Sequence, residues 1–119
     1  MPVYTHDRLV QLAINEAIRQ GVTNIKADHL PENSKPAQIG KYIPDVTGTH
    51  SSGTIIVEAE SADGLKLTHT TDQFATFYRE ANRIGGTFIV AVNLADKAAA
   101  EVAVKQACDN STKVLIWTF

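Results

Sequence analysis

The sequence predicts a single α/β domain with a central mixed sheet flanked by helices. Apolar residues recur at helical spacing in three segments, and strand-like runs separate these segments in the order α-β-β-β-α-β-α-β. The two strand–helix–strand connections in the second half predict parallel pairing of the strands that they join. A length of 119 residues fits one domain over residues 1–119, which can bury a core without disulfides.

The first half of the chain is predicted to contain one helix and one strand before a long loop. Helical spacing of apolar residues predicts a helix over residues 6–20, with Thr5 as its N-cap and Gly21 as its C-cap. The β-branched run at 22–28 predicts a strand. Residues 31–40, with two prolines, Asn, Ser and Gly, are predicted to form a loop.

The remaining elements begin with a hairpin, in which strands over 41–49 and 54–60 are joined by a turn at His50–Gly53. The second helix is predicted to begin after Thr70 or Thr71. The helix and strand patterns that follow complete the chain: the second helix ends at Gly85–Gly86, and then come a strand at 87–93, a helix at 96–108 and a strand at 113–119.

Composition limits the classes of partner that the chain is expected to bind. A formal net charge of −2 means that any contact with nucleic acid must come from a local basic patch. The single cysteine, Cys108, cannot form an internal disulfide and favours a reducing compartment. The N-terminus lacks a signal-peptide pattern, and no apolar stretch reaches the length of a membrane span. We therefore expect a cytoplasmic location and no membrane contact.

The hairpin carries three carboxylates that need an explanation. If Thr49 pairs with Thr54, Asp45 lies directly opposite Glu58 on the same face of the sheet. Glu60 follows two residues after Glu58 and points to that face as well. The alternate residues of this strand are expected to pack on the core: Ile55, Val57 and Ala59.

Like charges on one face of a sheet repel, so these acids are expected either to take up protons or to bind a divalent cation. Mg²⁺, or Mn²⁺, suits two carboxylates, a backbone carbonyl and water molecules. The carbonyl of Ala59 is a candidate ligand, and Glu16 on the flank of the first helix is another. The alternative is that the acids face water on an amphipathic hairpin.

These residues resemble the motif of the PD-(D/E)XK nuclease superfamily, which includes restriction endonucleases and Holliday-junction resolvases. The motif is matched by Pro44-Asp45 and by Glu58-Ala59-Glu60, and the element order resembles that restriction endonuclease-like core over essentially the whole chain. Family members often have an acid on the first helix, matched by Glu16, and some have a glutamine after the motif, matched by Gln73. The third motif position is usually Lys, whereas this chain has Glu60, which some restriction enzymes of the superfamily also use.

The resemblance implies Mg²⁺- or Mn²⁺-dependent hydrolysis of phosphodiester bonds in DNA. It makes Asp45, Glu58, Glu60 and Gln73 the catalytic candidates, and Glu16, Asp45, Glu58 and the Ala59 carbonyl the metal ligands. A lysine from elsewhere, Lys26, Lys41 or Lys66, or the imidazole of His69, could act beside the metal. Contacts to the DNA backbone are expected from basic residues, chiefly Lys41, Lys66 and Arg79.

A core of this size has little room for a recognition domain, so cutting of two strands suggests a homodimer, with the segment KVLIWTF as a possible interface. Two rival hypotheses remain open: a nuclease-like fold that binds nucleic acid or a protein without cutting, and an unrelated α/β domain with solvated acids. No nucleotide cofactor is expected, because Gly85–Gly86 follows a helix and precedes a strand. The four histidines are not spaced as zinc ligands in the sequence.

Overall fold

A five-stranded mixed sheet forms the centre of the protein, which a computed structural model describes over residues 3–119. The strands follow one another across the sheet in chain order: β1 (Thr23–Ala27), β2 (Val46–His50), β3 (Gly53–Ala59), β4 (Thr87–Val92) and β5 (Leu115–Thr118). β1–β2 and β2–β3 pair antiparallel, whereas β3–β4 and β4–β5 pair parallel. The α/β class, the mixed sheet and the parallel pairing of the second half are confirmed.

Helices cover both faces of this sheet, and each face has its own core. α1 (His6–Arg19) packs on one face, while α2 (Thr68–Ile84) and α3 (Lys97–Ala107) pack on the other. Thr5 caps α1, as predicted, because its side chain accepts a hydrogen bond from the Arg8 N–H at 3.2 Å. Gly85 ends α2 with a left-handed φ of 68°.

The largest difference from the predicted elements lies ahead of the hairpin. The strand predicted over 41–49 begins only at Val46, and the residues before it form a single bridge between Ile39 and Tyr42. Pro44 has no N–H to donate to a neighbouring strand, which favours an end of regular pairing there. Regular pairing in β2 therefore begins only at Val46, directly after Asp45.

Two further boundaries differ from the prediction by a few residues. α2 begins at Thr68 rather than after Thr70, because the Thr70 hydroxyl instead donates to the Gly64 carbonyl at 2.5 Å. β5 begins at Leu115 rather than residue 113, because Ser111–Lys113 form a short 3₁₀ turn. None of the helices between residues 3 and 119 combines the length and apolarity needed to cross a membrane.

The register of the hairpin agrees with the prediction. Thr49 pairs with Thr54, and the last backbone pair is Val46 with Val57. The alternate residues of β3 pack against α1, as predicted, but the opposite face of β3 is buried too, since Ile56 belongs to the core beneath α2. The hairpin is therefore a central, doubly covered part of the sheet.

The close approach of α2's end to β3 provides a test of the packing. A Cβ added at Gly86 would lie 2.4 Å from the backbone carbonyl oxygen of Thr54, which cannot rotate away. We expect Gly86→Ala to lower the free energy of unfolding by about 1–3 kcal/mol, measured by urea denaturation. Gly85→Asn is the matched control, because nothing lies within 4 Å of a Cβ there and Asn tolerates a left-handed φ. An equal effect of the two substitutions would contradict the prediction.

Candidate metal centre

The functional candidates gather at one edge of the sheet. β1, β3, β4 and β5 all end at this edge, β2 starts there, and α1 begins above it. Asp45 lies just before β2 and Glu58 just before the end of β3, while His29 follows β1 and His6 opens α1. The strand directions therefore bring together side chains that come from four separate parts of the chain.

Asp45 is the centre of this group, with only 3% of its surface exposed. Beyond the last backbone pair of the hairpin, the Ala59 N–H donates to Asp45 Oδ2 at 2.8 Å, and His6 Nε2 lies 3.1 Å from the same oxygen. The Asp45 N–H donates to Glu58 Oε1 at 3.1 Å. The structure thus brings Asp45 and Glu58 together, as the hairpin register predicts, while their role as metal ligands stays a prediction.

Glu58 is buried in an environment that disfavours its charge. Only 4% of its surface is exposed. Burial, and then the neighbouring charge of Asp45, raise the pKa of the Glu58 carboxyl well above its ordinary value of 4.5. The picture of acids that simply face water on an amphipathic hairpin is wrong for Asp45 and Glu58, because both faces of β3 are covered.

Glu60 continues the group past the end of β3, where its N–H donates to the Ala91 carbonyl at 3.0 Å. Its carboxylate lies over Gly64, where a Cβ would come within 2.0 Å of Glu60 Oε1. Partial burial and the charge of Asp45 raise the pKa of Glu60 to about 7. Glu60 is therefore electrostatically coupled to Asp45 and titrates near neutral pH.

His6 is held over Asp45 by the segment that precedes α1. The side chain of Asn93, which follows β4 and is 2% exposed, accepts from the Tyr4 N–H at 2.7 Å and donates to the Tyr4 carbonyl at 3.1 Å. This pair of bonds attaches the chain ahead of α1 to the end of β4. The hydrogen bond to Asp45 raises the pKa of His6 to about 9, although partial burial opposes the shift.

His29 approaches Asp45 from the other side. Its Nε2 lies 3.6 Å from Asp45 Oδ1, and its ring meets the ring of His6 edge to face at 5.2 Å between centroids. One potential ligand atom from each of His6, His29 and Asp45 lies within 4.8 Å of the others. Sequence spacing missed both histidines, because 23 and 39 positions separate His6 from its two partners.

The structure does not bring Glu16 to this group. Glu16 lies ten residues after His6, about 15 Å along α1. Its carboxylate accepts hydrogen bonds from Arg19 Nε at 3.1 Å and from Gln20 Nε2 at 2.7 Å. The residue of α1 that reaches the carboxylates is His6, because α1 lies with its N-terminus over this edge of the sheet.

The other predicted residues lie around α2. Gln73 is on the face of α2 between His69 and Phe77, whose rings both contact Tyr42, three residues before Asp45. The basic residues predicted to contact DNA are all exposed: Lys41, Lys66 and Arg79. The ammonium group of Lys41 also lies 3.6 Å from the carboxylate of Asp72. Among the salt bridges of residues 3–119, none joins a lysine to Asp45, Glu58 or Glu60.

The donor set fits a divalent cation. The buried side chains of Asp45 and Glu58 and the partly buried Glu60 are near enough for their charges to interact, and no Lys or Arg is paired with them in the described part of the chain. The His6 imidazole lies against Asp45, and its raised pKa favours the cationic form, which balances the charge of Asp45 when no ion is bound. Carboxylate oxygens are the ligands that Mg²⁺ and Mn²⁺ prefer.

Comparisons with known proteins do not assign this chain to a family. No protein-family model matches the chain, and neither curated proteins nor solved structures gave a match. The resemblance to the PD-(D/E)XK superfamily therefore rests on the motif residues and the element order.

The raised pKa of Glu60 predicts a loss of stability as the pH rises. The folded state holds this proton up to about pH 7, whereas an unfolded Glu releases it near 4.5, so stability falls across this window. We expect Glu60→Gln to make the fall shallower and to raise the free energy of unfolding at pH 7.

Urea denaturation of the protein in chelator between pH 4.5 and 7 measures this effect. Glu101→Gln, an exposed change on α3, is the control and should follow the wild type. Curves of wild type and Glu60→Gln that stay parallel across the window would refute the electrostatic assignment.

Proposed function

We propose that this chain is a metal-dependent endonuclease that hydrolyses phosphodiester bonds of DNA and has a restriction endonuclease-like core. The observation that supports it most is the adjacent pair of buried acidic side chains at the end of the hairpin, Asp45 and Glu58, where the Asp45 backbone N–H donates to Glu58 Oε1 at 3.1 Å. Burial of two acidic side chains side by side is costly for a fold, which favours a functional reason for their presence.

Each acid has a distinct place in this proposal. Asp45 and Glu58 hold the metal, with the Ala59 carbonyl as a further ligand, and the Ala59 N–H orients the carboxylate of Asp45. Glu60, whose pKa of about 7 suits proton transfer near neutral pH, accepts a proton from the attacking water. When bound, Mg²⁺ or Mn²⁺ supplies stabilisation of negative charge on the scissile phosphate. Glu16 has no place in this set.

DNA binding in this proposal relies on exposed cations beside and along α2. Lys66 lies in the connection between the hairpin and α2, Lys41 lies 3.6 Å from Asp72 near the start of α2, and Arg79 lies further along α2. Phosphate contacts from such residues position a duplex without reading its sequence. Gln73, on the face of α2 that faces Tyr42, is expected to orient a ligand or touch the backbone. A homodimer remains our expectation for cutting two strands, and Leu115 of β5 is 48% exposed.

A second candidate function is a nuclease-like module that binds nucleic acid or a partner protein without cutting it. Glu60 stands where the superfamily usually has Lys, and no lysine of the described chain pairs with the three acids. This hypothesis predicts DNA binding that needs no divalent ion and leaves the DNA intact. Cleavage assays separate the two candidates directly.

Asp45→Asn tests the enzymatic proposal. It preserves the shape of the side chain and an acceptor for the Ala59 N–H, but removes the charge that holds the metal. We expect at least a 100-fold loss of cleavage, since metal stabilisation is worth several kcal/mol and each ~1.4 kcal/mol is tenfold in rate. Linear, branched and single-stranded DNA are incubated with Mg²⁺ or Mn²⁺, and nicked and cut products are quantified.

Glu16→Gln is the control for that assay, because the structure places Glu16 away from the carboxylates, and it should cut like the wild type. A wild type that is inactive on every substrate with both ions, or an Asp45→Asn variant with full activity, would exclude the enzymatic function. DNA binding that persists in the absence of cleavage would then favour the second candidate.

A further inference from the structure

We propose that His6, His29 and Asp45 form a binding site for a divalent metal ion of the zinc and cobalt class. This goes beyond the proposed function, because ion binding at these residues needs no phosphodiester chemistry. It also assigns two ligands, His6 and His29, that lie outside the motif of the nuclease superfamily. Asp45 belongs both to this site and to the pair of buried acids, Asp45 and Glu58. The new site lies where His6 and His29 approach Asp45.

The distances between the three groups approach those of a bound ion. Ligands 2.0–2.1 Å from one metal stand about 2.9–3.4 Å apart in octahedral or tetrahedral geometry. His6 Nε2 lies 3.1 Å from one Asp45 oxygen, and His29 Nε2 lies 3.6 Å from the other. All three potential ligand atoms fall within 4.8 Å of one another, so the two rings must move closer together to enclose an ion.

His6 is oriented as metal-binding histidines are. A ligating imidazole commonly donates its second ring N–H to a carboxylate, which fixes the ring and raises its basicity. His6 directs Nε2 to Asp45 while its Nδ1 lies 3.3 Å from Asp7 Oδ1, so an ion would take the place of the Nε2 proton, which is released to solvent, and Nδ1–H would remain paired with Asp7. The attachment of Tyr4 to Asn93 holds the start of α1 in place, so this orientation does not depend on the side chain alone.

His29 reaches Asp45 through an unusual backbone. Its φ is 68°, a left-handed conformation that non-glycine residues rarely adopt and that is common at functional sites. Two hydrogen bonds hold this bend in place. The Asp28 N–H donates to the Asp45 carbonyl at 2.9 Å, and the His29 N–H donates to Asp28 Oδ1 at 3.0 Å. The side chain of His29 is 49% exposed, which leaves a route for an ion and open positions for water.

The ligand chemistry distinguishes this site from a magnesium site. Mg²⁺ favours oxygen ligands and keeps most of its water, whereas imidazole nitrogens favour zinc, cobalt, nickel and iron. Two imidazoles and one carboxylate, with open positions, match a site of the second kind. The neighbouring carboxylates add negative charge that attracts any dication: Asp7, Asp28, Glu58 and Glu60.

Calorimetric titration of the full-length, metal-free protein tests the inference, with Zn²⁺, Mn²⁺ and Mg²⁺ as separate ligands. Co²⁺ serves as a spectroscopic probe, since its visible absorption reports nitrogen ligation. We expect Zn²⁺ to bind at least about 10-fold more tightly than Mg²⁺. We expect His29→Asn and His6→Gln each to weaken Zn²⁺ binding at least about 10-fold and to alter the Co²⁺ spectrum.

His29→Asn suits this test because Asn tolerates the left-handed backbone of residue 29. His50→Ala is the matched histidine control, since His50 ends β2 at the opposite edge of the sheet, and it should bind like the wild type. Zn²⁺ affinity unchanged in both site variants, an equal loss in His50→Ala, or no binding by the wild type would each overturn the inference. Ion binding without DNA cleavage would overturn only the proposed nuclease function.

Discussion

The rest of the site depends on the hydrogen bonds of the buried Asp45 carboxylate, at the edge of the sheet where β1, β3, β4 and β5 end. This carboxylate accepts a hydrogen bond from the Ala59 N–H at the point where β2 stops pairing with β3. It also contacts the imidazole of His6, which lies at the start of α1. A buried charge is tolerated only when hydrogen bonds and an opposite charge replace water. Asp45 thereby links two strands and a helix through one side chain, and its neighbours are arranged to satisfy it.

The positions of the neighbouring acids, Glu58 and Glu60, are unfavourable for the stability of the folded protein. Glu58 and Glu60 lie beside Asp45 in an environment that raises the pKa of both, so a proton, the His6 cation or a bound ion must relieve the repulsion. Natural sequences depart from locally favourable choices mainly at functional sites. The carboxylate group is such a departure inside an otherwise apolar, doubly covered strand, and it supports a role in binding cations.

Chain topology explains why the site draws on distant segments. Parallel pairing of β3, β4 and β5, together with the two antiparallel connections, puts the ends of four strands and the start of β2 at one edge. Asn93 at the end of β4 then fastens the segment before α1 to this edge, and His6 arrives above Asp45 as a consequence. The same edge also receives His29 from the end of β1.

The sequence by itself determined the α/β class, the order of helices and strands along the chain and the facing of Asp45 and Glu58, because these follow from local periodicity and from the pairing of Thr49 with Thr54. It did not determine which residue of α1 reaches the carboxylates. Glu16 and His6 both lie on this helix, and only the position of α1 on the sheet decides between them. That position depends on long-range contacts such as Tyr4 with Asn93, which no local pattern records. The approach of His29 was likewise decided by the tertiary structure, through a left-handed bend stabilised by hydrogen bonds to Asp28 and Asp45.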